Sequence, residues 1–438
     1  MATEFGSVAR SRAHQLRNSV SGTLGTALEF YDFAIYGLAA GTVFRTVFFG
    51  SDSAAVGFIA AMATFAVGYF ARPVGGIILG AVGDKLGRKT ILVWTVVVMG
   101  LASFCIGLIP TYEQIGIAAP VLLVTMRIVQ GLGAGAELAS ASTLLVETAV
   151  PERRGLIGSL VGIGTNGGTL LASLIWLSVS ALPDEQFMSW GWRIPFLLSI
   201  LIAGVGLWLR RGVDESPAYE AKREEQQRET VVSVYRKLLR QSTGKMLACI
   251  GMRWAENGTS TVFLVFLVGY LADQAPQGRG YGSFAIVVSA IVGLATVPIM
   301  GHLADLYGRR RMYLILSVFQ LVVALPAIWM IETGSRGGVV LAYCLAYSVG
   351  VMGMYAVQSS FMVELFGSRS RLAAVTSSKE LGALSSGGVA PLISATLLAQ
   401  WSIWAVGAYL CLLAGVSIVS TLVLPETKGR DLLTRSDA

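Results

Sequence analysis

The sequence predicts an all-α polytopic membrane protein whose twelve transmembrane helices form two pseudo-symmetric six-helix halves. Three observations carry this expectation. Of 438 residues, 54% are hydrophobic and only 13% charged, where soluble domains carry about 25% charged residues, and the mean hydropathy is +0.67. The apolar runs, cut on the ruler of roughly 20 residues per 30 Å of bilayer core, yield twelve spans. Finally, a short motif occurs twice: Gly80 to Lys89 reads G-A-V-G-D-K-L-G-R-K and Gly301 to Arg310 reads G-H-L-A-D-L-Y-G-R-R. Gly80, Asp84, Gly87 and Arg88 recur as Gly301, Asp305, Gly308 and Arg309, 221 positions later (305 − 84), about half the chain. Each copy sits where an apolar run ends, as a tight basic turn between two buried helices.

Taken in order, the first span runs from Gly22 to Phe48 and carries Glu29, Asp32 and Tyr36, whose three- and four-residue spacing puts them on one face. The second, Val56 to Val82, contains Arg72 and leads into the first copy of the motif. The third is Ile91 to Ile109. The fourth, Pro120 to Glu147, carries Arg127, Gln130 and Glu137, which fall with Ala134 and Ala141 within an arc of about 80° at 100° per residue and so are expected to look into one cavity. The fifth, Gly155 to Leu182, is rich in glycine. Gly131, Gly133 and Gly135 in the fourth span, with Gly158, Gly162, Gly164, Gly167 and Gly168 in the fifth, are expected to let these two helices approach closely. Trp192 to Leu209 closes the first half.

Arg210 to Lys245 is the one long polar segment, with the charged run Glu220 to Arg228 expected to be partly helical. The expected organisation is therefore an N-terminal half over residues 1–211, a cytoplasmic linker over 212–245 and a C-terminal half with a short cytoplasmic tail over 246–438. The seventh span, Met246 to Ala272, repeats the theme of the first half with Arg253, Glu256 and Asn257 spaced i, i+3, i+4 and Ser260 continuing the stripe. Tyr281 to Leu303, Met312 to Ile331 and Val339 to Phe366 follow. Leu372 to Ala399 holds Lys379 and Glu380, which diverge by about 100°, so at most one can face a cavity squarely. Ile403 to Leu424 ends the bundle. A second pair of signals supports the repeat: Val146-Glu147 followed by Arg154 matches Val363-Glu364 followed by Arg371, both at an offset of 217 (364 − 147).

Lys and Arg set the orientation, because positive residues are retained on the cytoplasmic side. With both termini inside, the face opposite the cytoplasm has only Arg45, Arg193, Arg279 and Arg336, and Arg72, Arg127, Arg253 and Lys379 lie within spans. The rest of the 33 basic residues are cytoplasmic, which accounts for the net charge of +7 without a nucleic-acid partner. Cys105, Cys249, Cys344 and Cys411 lie in apolar runs without paired spacing, so they predict packing rather than disulfides or a metal site. Two histidines, His14 and His302, are too few for a zinc or haem centre. No nucleophile or cofactor constellation suggests an enzyme. The N-terminus lacks an apolar stretch ending in a small-residue cleavage site, so the first helix is expected to be retained.

Ionisable side chains inside a span are costly unless paired or hydrated, and each is a functional candidate. Glu29 and Asp32 are close enough to suit a proton carrier, and equally could pair with basic residues and hold helices together. Arg72 and Arg127 stay charged and must find anions within the bundle. A carboxylate substrate is one candidate; for Arg127 an internal salt bridge to Glu29 or Asp32 is another. Arg253 lies close enough to the cytoplasmic end to snorkel.

The doubled G-x-x-x-D-x-x-G-R-[K/R] turn, the twelve spans, the charged central loop and the closing Pro425-Glu426-Thr427-Lys428-Gly429 together resemble the major facilitator superfamily, over essentially the whole chain. A narrower resemblance, to its metabolite:proton symporter branch, rests on G-T-A-L-E-F-Y-D-F-A-I-Y-G at Gly25 to Gly37, A-R-P-V-G-G at Ala71 to Gly76, R-I-V-Q-G-L-G-A-G-A-E at Arg127 to Glu137, W-G-W-R-I-P-F at Trp190 to Phe196 and E-S-P-A-Y at Glu215 to Tyr219. Phe30 and Ala136 depart from that branch's usual Trp and Gly. The resemblance implies alternating access with Asp84, Arg88, Asp305 and Arg309 as gating residues, and substrates such as shikimate, citrate and 2-oxoglutarate or betaine-type osmolytes.

The expected function is proton-coupled import of a small organic anion across the cytoplasmic membrane by a protein acting as a monomer among membrane lipids. The proton is the coupling ion, and no other cofactor is expected. Asp32, Glu29 and Glu137 would carry the proton, while Arg72, Arg127, Gln130, Tyr36, Arg253, Glu256 and Asn257 would form the substrate site. Proton symport of a zwitterionic osmolyte is the alternative, and a proton-antiport efflux pump fits less well.

Overall fold

The computed structural model describes residues 25–50, 53–86, 88–135, 137–210, 238, 240, 242–274, 278, 280–368, 371–432 and 437, with side chains for all of these except 77–92, 137–141, 209 and 210. Among the described residues, twelve helical spans follow one another: α1 (residues 25–42), α2 (Ala54–Leu86), α3 (Arg88–Leu108), α4 (Ala118–Ala134 continued by Glu137–Thr148), α5 (Arg154–Ser180), α6 (Ile194–Arg210), α7 (Thr243–Gln274), α8 (Tyr281–Tyr307), α9 (Arg309–Glu332), α10 (Arg336–Leu365), α11 (Arg371–Gln400) and α12 (Ile403–Val423). Nine of these, α2 and α5 to α12, are long and apolar enough among the described residues to cross a bilayer. Most of the linker, including Glu220 to Arg228, lies outside the described residues.

Large apolar side chains stay exposed along the outside, Leu201, Val322, Leu412 and Val423 among them, as lipid contact requires. Exposed Trp190, Trp329, Trp401 and Trp404 mark one end of the bundle, and Trp94 and Trp208 lie toward the other, which is the placement of interfacial aromatic belts. The second end also carries the basic turns and is called the basic end below; the first is the far end.

Helices six apart in number play equivalent roles. On the outside, Gly100 of α3 lies against Ala203 of α6, and Gly407 of α12 against Leu325 of α9. Between the halves, α5 lies along α8, where the Asn166 amide donates to the Ala290 carbonyl, and α2 lies along α11, where Gly388 meets Tyr69. At the far end α1 and α7 touch backbone to backbone: a Cβ on Gly269 would stand 2.4 Å from the Gly41 carbonyl oxygen. Arg45 and Asp273 pair across the same seam.

Two spans depart from the continuous helices the sequence predicts. The first ends its regular helix at residue 42 and continues through a turn at Val43 into a short helix, Phe44–Val47. The fourth is interrupted after Ala134, beside Gly135, whose Cβ position lies 2.1 Å from the Arg72 carbonyl oxygen. The glycines also serve different neighbours than expected. Gly131 and Gly135 receive α2, Gly133 receives Met99 of α3, and Gly168 receives the Ala27 carbonyl of α1, while Gly158 meets both Val146 of α4 and Ser360 of α10. Periodicity shows that a helix face is small, not which helix it meets.

The C-terminal half is locally underwound into wider π-helical turns at Trp254–Gly258 and Val262–Phe266 in α7, Cys344–Val351 in α10 and Ala383–Gly388 in α11. Such turns concentrate at functional positions; here those in α7 and α11 border the central cavity.

The basic end is tied by polar contacts between halves. The Asp305 carboxylate accepts hydrogen bonds from the Gly155 and Leu156 amides at the start of α5, at 2.7 and 2.9 Å. These are among the amides a helix leaves unsatisfied at its N-terminus, where the helix dipole also favours an anion. Arg309 pairs with both Asp305 (2.9 Å) and Glu364 (3.1 Å). Arg371 pairs with Glu147 at 2.6 Å, which joins one copy of the second repeat signal to the other. From the tail, Glu426 accepts from the Arg309 amide at 2.8 Å and Thr427 donates to Glu364 at 2.7 Å. Contacts between described residues thus join the halves at both ends of the bundle.

Asp305→Asn keeps the volume and removes the charge facing α5. It is expected to cost about 2 kcal/mol, the scale of a hydrogen bond to a charged group, seen as a lower unfolding midpoint of the purified protein, while Leu306→Ala on the exposed side leaves the midpoint in place. Equal midpoints for Asp305→Asn and the parent would show that this clamp contributes nothing.

Candidate substrate and proton site

A cavity of about 50 Å³ lies at the centre between the halves. One wall is built by Phe30, Phe33 and Ala34 of α1, Phe65, Tyr69 and Arg72 of α2, and Thr165 and Thr169 of α5. The other comes from Arg253, Glu256, Asn257, Ser260 and Leu264 of α7, Met352 and Tyr355 of α10, and Glu380 and Ala383 of α11. Rings therefore supply much of the wall, and charges of both signs are set into it.

Arg72 is the pivot. Its Nη2 lies 2.9 Å from Glu29 Oε1 in the same half, and its Nε 2.9 Å from Glu380 Oε2 in the other half. A second contact, Nη2 to Glu380 Oε1 at 3.3 Å, makes the pairing with Glu380 two-pronged. Only the planar guanidinium fork can address two carboxylates in this way. The plane also lies over the Phe33 ring, 4.8 Å from its centre, a contact that strengthens when water is excluded.

Arg127 is fully buried and is not on the cavity wall. Its guanidinium lies 3.9 Å from the ring centre of Tyr36, with Phe33 and Phe65 at 4.8 and 5.1 Å. One nitrogen donates to Gln130 Oε1 at 2.5 Å; Nε and Nη2 have no hydrogen-bond partner among the described residues. Gln130 in turn donates to Ser103 at 2.7 Å, and Tyr36 donates to Thr64 at 2.7 Å. Among the described residues the cation is thus held by rings and dipoles rather than by a carboxylate.

Asp32 has the converse arrangement. It is buried, accepts from Ser199 of α6 at 2.9 Å, and has no ion-pair partner among the described residues. Glu29 and Asp32 do share a face, as their spacing predicts, but only Glu29 reaches an arginine.

In the other half Arg253 pairs with Glu256 at 3.3 Å and donates to the Lys379 carbonyl at 2.8 Å, so it is turned into the bundle and does not snorkel. Glu256 also accepts from Gln358 at 3.0 Å. Asn257 presents an Oδ1 without a hydrogen-bond partner among the described residues. Lys379 and Glu380 diverge as the helix geometry requires: Glu380 lines the cavity, while Lys379 donates to Ser142 of α4 at 2.8 Å.

The structure thus brings together Glu29, Arg72, Arg253, Glu256, Asn257 and Glu380. It places Arg127, Gln130 and Tyr36 behind the cavity wall and Asp32 beside α6. Arg127 does not form the salt bridge to Glu29 or Asp32 considered from the sequence, because Glu29 is engaged by Arg72. Asp305 and Arg309 lie in the basic-end network. The side chains of Glu137, Asp84 and Arg88 are outside the described residues, so the common cavity for Arg127, Gln130 and Glu137 is not described. Sequence reasoning did not single out Phe33, Phe65, Tyr69, Tyr355, Ser199 and Gln358. The three-residue spacing of Phe30, Phe33 and Tyr36, and an isolated Gln358 in an apolar run, were the available signals.

The fold agrees with that of known proteins that the chain resembles. The family model for the Major Facilitator Superfamily matches residues 22–378. The chain belongs to the Major Facilitator Superfamily. It is 34% identical over 428 residues to the shikimate transporter of Escherichia coli K12, covering 97% of each chain. It is 33% identical over 428 residues to the glycine betaine/proline/ectoine/pipecolic acid transporter OusA of Dickeya dadantii, covering 95% of this chain and 85% of OusA. Among solved structures, the proton:xylose symporter XylE bound to 6-bromo-6-deoxy-D-glucose superposes with a TM-score of 0.76 at 16% identity, covering 97% and 98% of the two chains, which is a likeness of fold. The protein is a multi-pass membrane transporter of this superfamily and not an enzyme.

Arg72→Ala leaves Glu29 and Glu380 buried without their shared cation, and breaking such a pair costs about 3–5 kcal/mol. The expected result is a large loss of thermal stability in Arg72→Ala. In Arg72→Lys the charge remains but one carboxylate is released, and the loss is expected to be intermediate. A midpoint for Arg72→Lys equal to the parent would contradict the two-sided fork.

Proposed function

We propose that this transporter imports a small organic carboxylate together with a proton, binding the anion at the central cavity and exposing it alternately to the two sides as the halves rock. One observation carries the reading. At the level of the cavity, the described buried cations Arg72, Arg127, Arg253 and Lys379 are matched in number by Glu29, Asp32, Glu256 and Glu380. With all of them ionised these described charges cancel, so an entering carboxylate adds an uncompensated negative charge in a water-poor site. A proton restores the balance, and Asp32 is the carboxylate whose neutralisation breaks no ion pair.

Arg72 and Arg253 are the cavity cations that receive the carboxylate, with Asn257 and Glu256 as polar neighbours. Glu380 is released as the halves rock and Arg72 turns to the substrate, while Glu29 stays with Arg72 in the same half. Arg127, with Gln130 and Tyr36, senses the charge of Asp32 from behind the wall, and Glu137 is a further proton-relay candidate from the sequence. Asp305 and Arg309, with their counterparts Asp84 and Arg88, hold the basic end closed until the halves move. The basic end faces the cytoplasm in this reading, with both termini there and the linker 212–245 joining two halves at 1–211 and 246–438. The protein works as a monomer in the inner membrane.

A zwitterionic substrate is the second reading. It is favoured by the rings of Phe30, Phe65, Tyr69 and Tyr355 standing beside Glu256 and Glu380, an arrangement suited to an ammonium group, and by the likeness to OusA.

Proteoliposomes with an imposed proton gradient, tested with a panel of labelled carboxylates and betaines, are expected to accumulate a carboxylate only while the gradient lasts. Asp32→Asn is expected to abolish accumulation and retain exchange of substrate across the membrane. Accumulation that ignores the gradient, or that persists in Asp32→Asn, would refute the coupling.

A further inference from the structure

α1 borders two separate spaces. Phe30, Phe33 and Ala34 face the central cavity, whereas Gly25, Leu28, Glu29 and Asp32 line a second void of about 10 Å³ completed by Val96 and Met99 of α3 and Ser199, Ile202 and Ala203 of α6. At 100° per residue the two sets of α1 positions point about 140° apart. The second void lies within the N-terminal six helices, and no described residue of the other half contributes to it. It is just large enough for one water molecule, and it offers the polar partners a buried water needs: the carboxylates of Glu29 and Asp32 and the hydroxyl of Ser199.

We infer that this void is a proton-loading pocket through which Asp32 exchanges protons without passing through the substrate cavity. The inference rests on the proton role of Asp32 proposed above. A hydronium or water entering between α1, α3 and α6 meets Asp32 directly. The groups that face Asp32 are Glu29 and Tyr31 on its own helix, Ser103 on α3, Arg127 on α4 and Ser199 on α6. Substrate in the cavity would therefore not block proton exchange. Glu29 joins the two spaces, lining the pocket while pairing with Arg72 at the cavity wall. Small residues keep the pocket open: Ala203 lies on its wall and packs on Gly100, and Gly206 one turn on admits Leu28.

The test follows the infrared carbonyl stretch of the protonated carboxyl after a pH jump, on the full-length protein in lipid nanodiscs with no substrate present. The parent is expected to show a titrating carboxyl band that Asp32→Asn removes. Ala203→Leu, which fills the pocket, is expected to slow its equilibration with bulk by at least about tenfold, and Ala383→Leu, which narrows the substrate cavity, is expected to leave the rate unchanged. Should Ala203→Leu fail to fold, Met99→Ala widens the same void and is expected to speed equilibration. A parental rate in Ala203→Leu, no acceleration in Met99→Ala, or a slowing in Ala383→Leu would overturn the route while leaving the role of Asp32 intact. A titrating band that survives Asp32→Asn would overturn that role and the inference with it.

Discussion

The rest of the interior is arranged around one buried arginine shared by two carboxylates from opposite halves. Arg72 cannot be deprotonated at physiological pH and cannot reach water, so the bundle must supply its counter-charges. Glu29 comes from the preceding helix, α1, of the same half and Glu380 from α11 of the other, so the electrostatic demand of one side chain becomes an attachment between the halves. Rocking of the halves that draws α2 from α11 would pull one carboxylate away from the guanidinium. The position left open is then the natural one for a substrate carboxylate, which would take over the second prong of the fork. The same constraint explains the rings around the cavity, since Phe33 and Tyr69 cover the guanidinium faces that no carboxylate can address.

Arg127 and Asp32 show the opposite solution. Each is buried without an ion-pair partner among the described residues, the one enclosed by Phe33, Tyr36 and Phe65, the other bonded to Ser199. Gln130 and Ser103 lie between them and form a continuous polar path. Two opposite charges kept apart inside a bundle store free energy that either a proton or a rearrangement can release. Arg72 can thus act as the structural fastening while Asp32 responds to protons.

Much of this was legible in the sequence. Twelve apolar runs against a fixed bilayer thickness leave little freedom in the helix count, and the repeated Asp-x-x-Gly-Arg turn announced two halves related six helices apart. The intramembrane charges stood out because apolar surroundings make them rare, and Glu29, Asp32, Arg72, Arg127, Arg253, Glu256, Lys379 and Glu380 all proved to be buried. Pairing was not legible. Nothing in the spacing says that Arg72 would take Glu29 and Glu380, some 300 positions apart in the latter case, or that Arg127 would be left to aromatic rings. Such partners are set by how helices rotate and cross, which depends on the small residues and on the π-helical turns of α7, α10 and α11. Periodicity at 100° per residue misplaces side chains beyond such turns, and it could not foresee the interruption of α4 beside Gly135.

The central claim is one of charge balance: an anion enters a neutral interior only with a proton. The most direct measurement is the current on a solid-supported membrane carrying the reconstituted protein, recorded as the transported substrate is added at equal pH on both sides. The account predicts substrate flux with no sustained charge movement, because each carboxylate is accompanied by one proton on Asp32. A steady inward positive current with every molecule transported would contradict it.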